Sequence, residues 1–96
     1  MLNTIINAIR NRQILTFTYS GLVRVVEPHA VGVSTTGNDV LRCYQTAGGH
    51  VSPGHEWDFC ILSRIRRLQP TGQQFTGSRP GYKRNDAHMR FIYEQL

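Results

Sequence analysis

Just after residue 12 the hydrophobic repeat of this chain changes period, and that change sets most of what it can fold into. Leu2, Ile5, Ile6 and Ile9 recur at helical spacing, with Asn3, Asn7, Arg10 and Arg12 between them. The spacing predicts a helix over 2–12, with Asn3 as its N-cap. From residue 14 the period is two. Leu15, Phe17 and Tyr19 alternate with Thr16, Thr18 and Ser20, the pattern of a half-buried strand. A chain that makes this switch once, and then runs in strand-like segments to Leu68, is mainly β.

Ser20-Gly21 turns the chain into a second strand, Val23 to Val33. Pro28 lies inside that run and has no amide to donate, so the strand must sit at an edge or carry a bulge there. Thr35-Thr36-Gly37-Asn38 makes a hairpin turn into a third strand, Val40 to Thr46. A flexible Gly/Pro loop over 47–55 leads to Trp57–Leu62 and then Ile65–Leu68, with a turn at Pro70-Thr71-Gly72. Residues 76–84 read as a basic linker. Residues 85–96 read as a closing helix capped by Asn85 or Asp86, with Met89, Ile92, Tyr93 and Leu96 on one face. Five strands in a single domain spanning 1–96 predict a small, strongly bent barrel over 14–75, because closure hides strand edges.

Charge narrows the partner. The net charge is +5, and ten of the eleven basic residues are arginine, Lys83 being the exception. Arginine adds a planar fork of donors that grips phosphate or carboxylate with two bonds at once. A basic domain of this kind suits nucleic acid, a nucleotide or an acidic surface. No apolar run approaches the roughly twenty residues of a membrane span, and MLNTIINAIR does not read as a signal peptide. Cys43 and Cys60 lie in strand-like runs and read as buried free thiols of a cytoplasmic protein.

Catalytic patterns are weak. His50, His55, Cys43 and Cys60 fit no zinc spacing, so no metal or cofactor is expected. No serine or cysteine stands in a strained elbow beside a base. Glu56 and Asp58 share a strand spacing, which more commonly marks a solvated face than acid/base chemistry. The expectation is a non-enzymatic protein.

The order of elements resembles the WYL-domain family. The resemblance is carried by the strand-ending tyrosine of Leu15-Thr16-Phe17-Thr18-Tyr19, by Arg24 ahead of Val26-Glu27-Pro28, by Phe59-Cys60-Ile61-Leu62-Ser63-Arg64-Ile65, and by Phe75. The family's naming tripeptide falls at Asp39-Val40-Leu41, where only the leucine is kept, and Trp57 stands where the family usually places an arginine. The resemblance implies an N-terminal helix followed by a five-stranded Sm/SH3-like barrel. It also implies a regulatory or ligand-sensing module, as in bacterial transcription or phage-defence regulators, here in a stand-alone form.

On that reading the ligand-binding residues are Tyr19, Arg24, His29, Arg42, Tyr44 and Arg64. Arg24, Arg42 and Arg64 would hold phosphates, and the tyrosines or Trp57 would stack on a base. Arg42 and Tyr44, two apart on one strand, share a face. Arg66, Arg67, Arg79, Lys83 and Arg84 form a secondary basic surface. The partner is then a nucleotide or single-stranded nucleic acid. The alternative is a structural or assembly domain, a homodimer without ligand, in which the arginines make ion pairs across the interface.

Overall fold

The structure, a computed structural model, describes residues 1–49 and 53–96. Helix α1 (Leu2–Asn11) is followed by strands β1 (Gln13–Tyr19), β2 (Leu22–Ser34), β3 (Asp39–Gly48) and β4 (Trp57–Ile61). A 3-10 turn (Leu62–Arg64) precedes β5 (Arg66–Gln74), and β6 (Met89–Gln95) ends the fold. Within the loop expected over 47–55, residues 50–52, His50 among them, lie outside the described residues; Ala47 and Gly48 belong to β3.

The helix forms where its apolar stripe demands it, burying Ile5, Ala8 and Ile9. Its N-cap is Met1, without a side-chain bond, so Asn3 lies inside the first turn and caps nothing. Arg12 ends the helix in the left-handed conformation, and its N–H reaches the carbonyls of Ala8 and Ile9.

The strands make one antiparallel sheet in the order β4-β3-β2-β1-β5, with β6 also paired to β2. β2 is long enough to serve two neighbours along one edge. Its first half pairs β1 over Leu22–Val26 and its second half pairs β6 over Ala30–Ser34. The overall extents are 29 × 27 × 27 Å. The expected closed barrel is not formed, since among the described residues no pairing joins β4 to β5.

Two further expectations are corrected. Residues 85–96 are not a helix. Their spacing of Met89, Ile92, Tyr93 and Leu96 mimics a helical stripe, but Phe91, Ile92 and Tyr93 favour strands. The second half of β2 offers unpaired backbone groups, and pairing satisfies more of them than a short, marginal helix would. Pro70-Thr71-Gly72 is not a chain reversal either. It is a bulge within β5, where Gln13 and Leu15 of β1 face Gln74 and Pro70, and Gly72 takes φ +84°.

Pro28 does mark a bulge. Pro28 faces Cys43 and Ala30 faces Arg42, so His29 is an extra residue with no partner on β3. Either side of it β2 alternates normally. Val26 and Val31 pack with Leu41, Cys43, Phe17 and the helix in the main core. Ala30 packs on the opposite face with Val40 and Met89, against Phe59, Tyr82 and Ile92. The sheet is thus covered on both faces: by α1 on one, and by part of β6 and the chain around Tyr82 on the other.

Candidate functional site

The three arginines expected to converge do not. Arg24 opposes the core residue Phe17, which turns it to the helix side of the sheet. There it meets the Asp58 carboxylate at 3.3 Å and lies over the Tyr19 ring, 5.2 Å from its centroid. Tyr19 ends β1, and its hydroxyl accepts the Ile61 N–H at 3.0 Å. Arg42 opposes Ala30, which turns it to the other face. Its Nε donates to Asp86 at 2.8 Å, and its guanidinium stacks on Phe59 at 4.2 Å. Arg64 stands exposed on the 3-10 turn, near neither group of contacts.

The outer face of β3 and β4 brings a different set together. Tyr44 packs edge-on to Trp57, with ring centroids 5.3 Å apart. Arg79 lies over Tyr44 at 4.7 Å and forks onto Glu27 with bonds of 2.7 and 2.9 Å. That carboxylate raises the Arg79 pKa. His29 is fully buried beside them. Its Nδ1–H donates to the Glu27 carbonyl at 2.8 Å, and its Nε2 accepts the Arg79 backbone N–H at 3.0 Å. Burial lowers the His29 pKa and outweighs the Glu27 contacts that raise it.

Next to this network is a hollow of about 290 Å³ between β3–β4 and residues 81–88, lined chiefly by Arg42, Trp57, Tyr82, Lys83, Asp86 and His88. Trp57 and Tyr82 lie nearly parallel, at 21° and 6.2 Å between centroids. Gly81 takes φ +91° at the edge of the hollow, a conformation that favours glycine, and an added Cβ there would touch Trp57 Nε1 at 3.4 Å. Asp86 is the counter-charge. Its burial would raise its pKa, but the bonds from Arg42 and the His88 amide, with Arg42's charge, hold it low instead.

Of the sequence-predicted residues, this face therefore holds His29, Arg42 and Tyr44, while Tyr19 and Arg24 lie on the other side of the sheet. From the secondary basic surface, Arg79 and Lys83 join it. Arg66 donates to the Ser63 and Ile65 carbonyls, Arg84 to the Leu96 main-chain oxygen, and exposed Arg67 sits at a β5 irregularity with φ +56°. Tyr82, Asp86 and His88 were missed as site residues. The alternation of β3 and β4 carries no information about a crossing segment, although the lone Trp57 facing Tyr44 was a usable signal. Glu56 does not pair with Asp58; it accepts the Gly54 N–H.

No helix is long and apolar enough to cross a membrane among the described residues. No protein-family model, no curated protein and no solved structure matches the chain.

Proposed function

We propose that this protein is a non-enzymatic, WYL-like regulatory module that senses a small anionic nucleotide in the outer hollow. The observation that carries the reading is the pairing, around one space of about 290 Å³, of an aromatic wall with a cationic rim. Trp57 and Tyr82 supply flat apolar surface for a base. Lys83, His88 and Arg42 supply donors for phosphate, Arg42 by exchanging the Asp86 carboxylate for the ligand. The space lies at the lower end of small-molecule sites, which favours a mononucleotide over an extended strand. A phosphate that takes Arg42 from Asp86 loosens residues 81–88, and that is a signal a partner can read.

The test is thermal unfolding with a panel of purine and pyrimidine mononucleotides, their cyclic forms, and inorganic phosphate. A cognate nucleotide at a hundredfold excess over its Kd stabilises by about 2.7 kcal/mol. The Lys83→Ala and Trp57→Ala variants lose that response while still folding. No shift with any nucleotide, together with concentration-dependent dimerisation in sedimentation, replaces this reading with the assembly one. Binding of oligonucleotides alone, with steep salt dependence, moves the partner to single-stranded nucleic acid.

A further inference from the structure

We infer that residues 76–82 form a strap latched to the sheet by the neutral form of His29, and that protonation of His29 opens the latch and loosens the strap. The latch itself needs no ligand. Its effect on the hollow rests on the reading above, because Tyr82 is both strap and wall.

The geometry defines the proton. His29 is the surplus residue of the β2 bulge, and bulges re-aim side chains. Its two ring nitrogens have one partner each. Nδ1 faces a carbonyl and must donate; Nε2 faces the Arg79 N–H and must accept. Only the neutral Nδ1–H tautomer satisfies both. An imidazolium would set Nε2–H against the Arg79 N–H, donor against donor, in a fully buried position.

Every element packed on the ring bears on its charge. From β2 itself comes the Glu27 carboxylate, which favours protonation but is already engaged by the Arg79 fork. From the strap come the Arg79 guanidinium, which opposes it, and the Tyr82 phenol, 5.0 Å away between ring centroids. Trp57 from β4 at 4.8 Å and Phe75 after β5 at 5.8 Å are neutral and keep water away. Removing the Arg79 N–H bond leaves the strap its side-chain fork to Glu27 and the Tyr82 hydroxyl bonds to the His29 and Leu96 oxygens, at 3.3 and 3.4 Å. Gly81, at φ +91°, is the hinge.

The direction follows from linkage. His29 titrates below its ordinary value of 6.5. The latch is therefore fully held above that value and is lost as pH falls below it towards the folded-state pKa.

The experiment is amide hydrogen exchange of the full chain between about pH 7.5 and 4.5, corrected for intrinsic rates. Trp57, the chain's one tryptophan, gives fluorescence in parallel. Exchange over 76–84 is expected to rise on the order of tenfold on acidification, with β1–β3 still protected. The midpoint should coincide with the His29 ring titration followed by NMR, and His29→Gln should show no pH step. Unchanged strap exchange, simultaneous loss of protection throughout the chain, or a midpoint apart from the His29 titration would each overturn the latch. The midpoint comparison uses the parent protein, so it stands even if His29→Gln does not fold. A normal latch with no nucleotide response would refute the ligand reading alone.

Discussion

Arg24 and Asp58 form an ion pair between strands that are not neighbours. Arg24 stands on β2 and Asp58 on β4, with β3 between them, yet Nη1 and Oδ2 are 3.3 Å apart and the side chains are only 7% and 14% exposed. The pair spans β3 where Cys43 faces the core. A cation so enclosed holds sheet strands together and is poorly placed to receive a ligand. Asp58→Ala should cost about 3 kcal/mol, because it leaves a buried cation unpaired. Arg24→Met with Asp58→Leu should recover most of that loss. Urea denaturation of the two variants against the parent measures both.

Gly32 sets how closely β6 can dock. A Cβ built there would lie 2.1 Å from the Phe91 carbonyl oxygen and 3.0 Å from the Ile92 Cα. Both are backbone atoms, so no rotamer change relieves the clash. Gly32→Ala should destabilise the protein by about 3 kcal/mol or more. It should also strip exchange protection from Met89–Gln95 before it affects the β1–β2 pairing. Equal loss in both regions would mean that β6 is not a separable element.

Cys43 and Cys60 are both fully enclosed free thiols. The bond with Cys60, then burial, push the Cys43 thiol well above its ordinary range. Thiolate is the reactive form, so the native protein should be inert to a thiol reagent at neutral pH. Two equivalents should react on unfolding in denaturant. Rapid labelling of the native state would show that the β3–β4 interior opens.

Local pattern made the first two-thirds of the fold legible. The helical stripe of Ile5 and Ile9, the alternation from Leu15 to Tyr19, and Pro28 as the mark of a bulge all describe interactions between sequence neighbours. The last strand was not legible. Met89, Ile92, Tyr93 and Leu96 satisfy helical spacing, and what decides against a helix is the edge of β2, far away in sequence. The site divides the same way. Parity correctly places Arg42 and Tyr44 on one face of β3. Parity cannot compare Arg24 with Arg42, because faces on different strands are related only through register. Their carboxylate partners are 34 and 44 residues away, and no local motif announces them.

The bulge in β2 can also be viewed as arithmetic. Skip His29, and the faces run without interruption: Val26 inward, Glu27 outward, Pro28 inward, Ala30 outward, Val31 inward, each opposite its present partner on β3. The β2–β3 pairing is complete without this residue. Val26, Ala30 and Val31 around it are constrained by the two hydrophobic layers, whereas His29 is supernumerary to the β2–β3 pairing, and only its carbonyl, which accepts the Leu96 N–H at 2.9 Å, extends the ladder on the β6 side. What keeps a fully enclosed imidazole at that place is not the architecture of the strand but whatever the imidazole holds.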